Sequence, residues 1–430
     1  MRIVVLGSGF GGVTATRHLE RLCRRGDHAL TLVSRDNFFV ITPLLFEACT
    51  GILELRHCAQ GVRPALRWAK FIEANVETVD VERRIVRAVP SEGAPLELPY
   101  DQLVIALGAT TNLNLIPGSR NALTFKSMAD ALMLRNRLIE QLERADATTD
   151  VARRQQHLTV VVIGGGLVGV ELLGELTAFA DDVVRYYPRI RRNEIRFHLF
   201  EASARILPEI DAQLAESAVA VLRRRGAELR ASTPVRSIEP QRVHVGDETI
   251  DAGTIVLAAG ITPNATPGRV PVEHDERGRI SVDSMMRSTS HSDVWALGDC
   301  AAIPTPDGHF YPALAQHAVR EARQVAENVA AVAAGRAPAS FVYRSLGTLA
   351  SLGHSSAVAQ VMGFRVTGFF AWWFRRTYYL FQMPRWDRRL RIVLDWTVAL
   401  FFRPDITKVE LAMEQDQTAR NTAAGRLRAP

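Results

Sequence analysis

Cysteine is scarce in this 430-residue chain, which has four, at positions 23, 49, 58 and 300. They are irregularly spaced and form no C-x-x-C, which argues against a disulfide framework and a zinc site and fits a reducing compartment; no metal is expected. Uninterrupted apolar runs of 18 or more residues are missing, so no transmembrane helix is expected. The start, MRIVVLGSGF, lacks the apolar core and small-residue cleavage site of a secretory signal. The compositional bias of a disordered chain is missing too: 47% of residues are hydrophobic and 23% charged, as in globular proteins. At about 150 residues per domain, the length suggests two or three domains. Net charge is +6, and its location argues against nucleic acid as the partner.

The first dozen residues carry the earliest chemical signal. Arg2 to Leu6 is a short β-branched run, the pattern of a buried parallel strand. It enters Gly7-Ser8-Gly9-Phe10-Gly11-Gly12, a G-x-G-x-x-G, and Val13 to Leu22 then reads as a helix. In a dinucleotide site the first glycine makes the tight turn and the second admits the pyrophosphate. The third lets helix and strand pack, and the helix N-terminus faces the phosphates. The next strand, Ala29 to Val33, should end in a ribose-binding acid. It ends instead in Ser34, Arg35 and Asp36. Ser34 as a weaker ribose ligand, Arg35 against adenine or a phosphate, and Asp36 as a substitute acid or turn cap are all open.

Phe38 to Gly51 reads as a loop with some helix, Phe71 to Val89 and Leu96 to Leu98 as strands, and Met128 to Arg144 as an amphipathic helix. Tyr100 to Thr110 is a strand running through Ala106 into a turn at Gly108, and Ala145 to Gln156 reads as a polar linker. The opening pattern then returns, 157 residues on: strand His157 to Ile163, glycines 164, 166 and 169, and a helix Val170 to Phe179. The following strand ends in Glu201, 32 residues beyond Gly169, and Val183 to Glu194 accounts for the length beyond the usual ~20. A carboxylate there holds both ribose hydroxyls and repels a 2′-phosphate, favouring NADH over NADPH. A helix is expected over Asp211 to Arg225. Thr254 to Gly260 is the counterpart of Leu103 to Gly108. Asp293 to Asp299 is a strand ending in Gly-Asp; in a flavoprotein with two such folds, that Asp binds the ribityl hydroxyls of FAD. Pro312 to Ala334 reads as a helix. Cys49 and Cys58, nine residues apart, are too far apart for a redox pair on one helix turn and read as two buried thiols.

Residues 363–410 hold nine basic and four acidic side chains, and 13 of the chain's 31 aromatic residues lie between Phe364 and Phe402. The run FFAWWFRRTYY at 369–379 sets rings before cations. Tryptophan and tyrosine favour the membrane interface, and arginine can snorkel to anionic head groups. This end reads as an in-plane membrane anchor, with a C-terminal core subdomain as the alternative. The expected fold class is α/β, with two Rossmann-like dinucleotide-binding domains and a C-terminal membrane-associating helical region. The expected domains are 1–156 and 281–345 for FAD, 157–280 for NADH, 346–410 for the anchor, and 411–430 as a disordered tail.

With GSGFGG at 7–12, NFFVITPLL at 37–45, GGGLVGVELLGEL at 164–176, YPRIRRNEIRFHLFEASARILPEID at 187–211, ALGDCAA at 296–302, AQHAVR at 315–320 and the end from GTLASLGHSS to RRLRIVLDW, the chain resembles the type II NADH dehydrogenases over nearly its whole length. The resemblance implies a single-subunit, non-proton-pumping NADH:quinone oxidoreductase on the cytoplasmic face of the membrane, commonly a homodimer. It implies FAD on residues 7–12, Ser34, Arg35, Val76, Ala106, Gly108, Asp299 and Ala315. NADH falls on Gly164, Gly166, Leu167, Val168, Gly169, Glu201 and Gly260. It puts Glu171 near flavin and nicotinamide, in proton handling or substrate positioning, and Gln316 near flavin and quinone. Where family members often carry a second glutamine, this chain has Arg320. The alternatives are a sulfide:quinone-type reductase, with Cys300 as the thiol to watch, and a membrane-tethered flavin-binding sensor.

Overall fold

The computed structural model describes residues 1–264, 270–345, 347–383 and 385–409. Its two parallel five-stranded sheets share one plan. The first runs Val294–Ala296, Gln102–Ile105, Arg2–Leu6, Ala29–Ser34, Lys70–Glu73. The second runs Leu123–Thr124, Thr254–Leu257, Thr159–Ile163, Arg196–Phe200, Ala227–Arg230. In each, the central strand feeds a glycine loop. Those strands are covered on both faces, which is why Ile3 to Leu6 and Val160 to Ile163 are continuous apolar runs rather than alternating ones.

The helices are α1 (Phe10–Leu22), α2 (Thr42–Cys49), α3 (Met128–Ala147), α4 (Val151–His157), α5 (Leu167–Val183), α6 (Ala212–Arg224), α7 (Ala315–Ala333), α8 (Phe369–Gln382) and α9 (Trp386–Phe401). The stretch expected as a linker at 145–156 contains α4. Asp150 caps it, accepting from the N–H groups of Ala152 and Arg153; a local cap was enough to wind a polar segment. Helices α1 and α5 each begin earlier than the apolar pattern indicated, inside the glycine loops themselves.

The chain crosses between folds on a ribbon in which Ala109–Thr111 pairs antiparallel with Ile261–Pro263. Two boundaries move. Leu123–Thr124 is a strand of the second sheet and α3 packs in the second core, so residues 123–156 go with the second fold, ahead of the boundary at 156/157. Val270, Val272 and Ile280 already belong to the first core, before the expected return at 281.

The C-terminal region is not purely helical. It opens with an antiparallel sheet of Gly347–Ser351, Ala357–Val361 and Phe364–Gly368, followed by α8 and α9. No helix among the described residues is long and apolar enough to cross a membrane. Phe369, Phe370, Trp373, Phe381, Trp386, Phe401 and Phe402 nevertheless face solvent. The expected disordered tail at 411–430 lies outside the described residues.

Candidate active site

The two glycine loops superpose in their logic down to single hydrogen bonds. The N–H of Gly7 donates to Val33 O and that of Gly164 to Phe200 O, each at 2.8 Å. A Cβ on Gly12 would lie 1.7 Å from Gly7 O, and one on Gly169 1.9 Å from Gly164 O, so helix and turn approach too closely for any side chain. Gly9 is different: a Cβ there would meet nothing within 4 Å. Its free side is the open approach that a pyrophosphate needs. Phe10 and Gly11 start α1 behind it. The residues present therefore fit FAD at the first loop.

Register explains the missing acid at Ser34. Leu6 pairs with Val33 and Ile163 with Phe200, so Ser34 and Glu201 occupy the same place. Both brace the residue after the first glycine. Ser34 Oγ accepts from the Ser8 N–H (3.2 Å) and the Ser8 hydroxyl (2.9 Å). Glu201 Oε2 accepts from the Gly165 N–H (2.6 Å) and its Oε1 from the Ser203 N–H (2.7 Å). Although burial alone would raise the Glu201 carboxyl, the Ser203 and Gly165 N–H groups hold it below the ordinary range, so it stays anionic. Arg35 is exposed and pairs with Asp36. Val76 is buried in the core and can offer a cofactor only its backbone.

The Gly-Asp turn lies at the end of Val294–Ala296, beside Gln102–Ile105. Ala106 underlies Gly7, and Gly108 leads into the ribbon. Gly260 leads into the ribbon's other strand. Ala315 is the first residue of α7. Two side chains that the sequence reading missed hold this corner. Glu321 of α7 accepts from the Gly298 N–H at 2.8 Å; burial pushes its carboxyl up to about 7. Lys126 comes from the second fold to within 3.7 Å of Asp299 Oδ2, and burial lowers its ammonium against the pull of Asp299. A cleft of about 670 Å³ opens on Asp299, bounded by Ala109, Ile261, Pro263, Arg279 and Tyr311. This is a usual size for a ligand pocket.

Glu171 is buried, not on a helix surface. Its Oε1 accepts from the Ser351 N–H (2.8 Å) and lies 2.9 Å from Arg375 Nη2. Arg375 is fully buried, donates to Pro43 O at 2.6 Å, and reaches Glu47 Oε1 at 3.5 Å. Arg376 pairs with Glu47 at 3.2 Å, and the Trp396 indole donates to Glu47 Oε2 at 2.6 Å. Glu175, one turn after Glu171, accepts from the Ser351 hydroxyl at 2.8 Å and leaves Oε2 without a partner. Burial pushes Glu175 up to about 7 and raises Glu171 against the pull of Arg375. The Arg375-Arg376 pair, read as head-group cations, thus points inward and binds α8 to both folds. Asp395, the odd acid in an apolar run, likewise turns inward, 2.5 Å from His57 Nδ1.

Gln316 Nε2 donates to Gly347 O at 3.2 Å and to Ser345 Oγ at 3.3 Å. Strand Gly347–Ser351 therefore has Gln316 at one end and Glu171 at the other. Arg320 donates to Gln316 O at 2.8 Å, with its guanidinium 4.7 Å from the centre of the Tyr343 ring. Glu321 and Arg375 carry a signal that sequence could have offered, a charge on a helix's buried stripe: Glu321 falls beside His317, Ala318 and Ala322, and Arg375 one turn after buried Ala371; Lys126, outside any helix, carries none. All four cysteines are free and buried. Burial pushes Cys49 up to about 12 and Cys300 up to about 11, far from a reactive thiolate.

Residues 1–322 match the pyridine nucleotide-disulphide oxidoreductase family, and residues 345–405 match the NDH2 C-terminal domain. Among curated proteins, the chain is 30% identical to a probable NADH dehydrogenase of Dictyostelium discoideum, covering 94% of this chain and 91% of that one. It is also 30% identical to a type II NADH:quinone oxidoreductase of Mycobacterium tuberculosis, with 92% and 87% covered. In fold it is similar to NDH2 of Plasmodium falciparum, solved with NADH (TM-score 0.87, 21% identity, 95% and 99% covered). It is less close to the sulfide:quinone oxidoreductase of Aquifex aeolicus (TM-score 0.71, 18% identity, 95% and 96% covered).

Proposed function

As the chain belongs to the pyridine nucleotide-disulphide oxidoreductase family and carries the NDH2 C-terminal domain, we propose that it is an FAD-dependent NADH:quinone oxidoreductase. The observation that carries the reading is the pair of matched glycine loops whose chain paths meet at the ribbon of Ala109–Thr111 and Ile261–Pro263. One loop has a strand-end carboxylate for a ribose, and the other has a Gly-Asp turn for a ribityl chain. Bound FAD supplies the redox step, accepting a hydride from NADH and passing two electrons to a quinone.

The chain's own residues position and protonate. Gly9 admits the FAD pyrophosphate to the N-terminus of α1, while Asp299, held by Lys126 and the Glu321-braced turn, takes the ribityl hydroxyls. Glu201 takes the adenosine ribose of NADH on the second loop, with Gly164, Gly166, Leu167, Val168, Gly169 and Gly260 around it. Quinone reduction consumes two protons. Glu175, pushed up to about 7, exchanges a proton near neutral pH, and Ser351 links it to Glu171. Gln316 fixes the near end of the same strand and meets the quinone. The exposed rings of α8 and α9, with Arg388 and Arg391, lie in the membrane interface on the cytoplasmic side, where the quinone enters. The C-terminal part also forms the contact of a homodimer. The reaction is non-proton-pumping; no helix among the described residues is long and apolar enough to cross a membrane.

A sulfide:quinone reaction would need reactive thiols near the flavin, and the burial of Cys300 beneath Leu297 and Ile105 argues against it. Stopped-flow mixing with NADH should bleach the flavin, and a soluble quinone should restore it. A flavin that NADH leaves oxidised refutes the function.

A further inference from the structure

The two glycine loops match in strand, register and helix, yet they open onto different surroundings. A Cβ on Gly9 would meet nothing within 4 Å, whereas one on Gly166 would stand 2.8 Å from Glu209 Oε1. Gly166 caps α5, so Glu209 brings its carboxylate to the helix end where a pyrophosphate binds. The backbone that carries it is tied to the loop itself. The Leu207 N–H donates to Gly165 O at 2.7 Å, Arg205 Nη2 donates to Pro208 O at 2.7 Å, and Ile206 and Ile210 are buried on either side. Asp211 then caps α6. The residue's place is therefore set by the fold, while its side chain stays exposed to solvent. The charged groups acting on it are Glu201 at the end of Arg196–Phe200 and Arg205 in its own loop. Partial desolvation, and then the charge of Glu201, raise its carboxyl, although its own N–H and that of Leu167 favour the charged form.

We propose that Glu209 is a positioning residue that sets nucleotide affinity at the second site: its carboxylate competes with the nucleotide pyrophosphate for the N-terminal end of α5 and so keeps the nucleotide weakly held. This rests on the assignment of the second loop to NADH. A bound dinucleotide must push the carboxylate aside or meet it protonated, and the oxidised product leaves the more readily for it. The residue acts by charge, so isosteric neutralisation should do what truncation does.

The test is calorimetric titration of the FAD-loaded protein with ADP-ribose, which carries the adenosine and pyrophosphate but cannot reduce the flavin. Glu209→Gln and Glu209→Ala should each bind about tenfold tighter than the unsubstituted protein, the size of one like-charge contact near the surface. The unsubstituted protein should gain affinity as pH falls into the carboxylate range, and Glu209→Gln should lose that dependence. Glu201→Ala should weaken binding. Unchanged or weaker binding by both Glu209 variants, with Glu201→Ala still damaging, overturns the proposal alone. ADP-ribose affinity indifferent to Glu201→Ala overturns the NADH assignment and the proposal with it.

Discussion

Replacing Arg375 by methionine tests whether the C-terminal region is wired into the redox folds or merely attached. The methionine keeps most of the stem volume, so the change removes chiefly the charge. Arg375 is fully buried between Glu171, Pro43 O and Glu47, with the Tyr379 ring 5.2 Å away. Glu47 keeps Arg376 and Trp396. Glu171 keeps only the Ser351 N–H. One buried carboxylate is thus left without its counter-charge, which costs about 3–5 kcal/mol. The pH dependence has a definite sign. Glu171 already titrates above its unfolded value, and losing Arg375 raises it further. The folded variant therefore holds a proton that the unfolded chain has released, and its stability falls as pH rises through that window. The deficit against the unsubstituted protein should shrink as pH is lowered from about 8 to about 5.5. Adding Glu171→Gln to Arg375→Met removes the stranded charge and should restore about 2 kcal/mol, a coupling that a double-mutant cycle reads directly. Urea denaturation of the holoprotein measures the stability. In stopped flow, the quinone half-reaction of Arg375→Met should shift its pH profile upward while flavin bleaching by NADH is unchanged. A loss below about 1 kcal/mol, or strictly additive double-mutant effects, would mean that Arg375 does not neutralise Glu171 in the core.

Gly9→Ala should lose FAD on gel filtration yet keep the thermal midpoint of the unsubstituted protein stripped of FAD, because its Cβ meets no protein atom within 4 Å. Gly12→Ala should lose both FAD and stability, because its Cβ would strike Gly7 O at 1.7 Å. Glu321 is pushed up to about 7 by burial, so it costs stability as pH rises from the ordinary carboxylate range to about 7. That cost approaches about 3 kcal/mol, and urea midpoints of Glu321→Gln against pH should lack this slope. Phe370→Glu with Phe401→Glu, at positions 72% and 78% exposed, should abolish co-sedimentation with anionic vesicles and leave NADH-dependent flavin reduction intact. Truncation ahead of α8 is the poorer test of anchoring, since it also strips Glu171 of Arg375.

Local pattern was enough for most of the fold. Both G-x-G-x-x-G loops, the continuous apolar strands beneath them, the Gly-Asp turn after Trp295 and the helix bearing Gln316 all follow from residue type and spacing. Each of those signals is confined to a few consecutive residues obeying one backbone geometry. The missing acid at Ser34 looked like a defect in sequence. The register of Val33 on Leu6 makes Ser34 the counterpart of Glu201, with the same bracing bond to its loop. Helix α4 was missed because its cap, Asp150, stands before a polar rather than an apolar run.

Residue type and spacing alone specify two dinucleotide folds, their order, and a ring-rich basic end. Tertiary structure decided which charges of that end meet solvent. Arg375 is 204 residues from Glu171 and Asp395 is 338 from His57. No periodicity links residues so far apart, because such pairs are selected by packing and by the cost of leaving a buried charge without a partner. That cost turned Arg375 and Asp395 inward, left the rings outward, and set Glu171 and Gln316 at opposite ends of one strand.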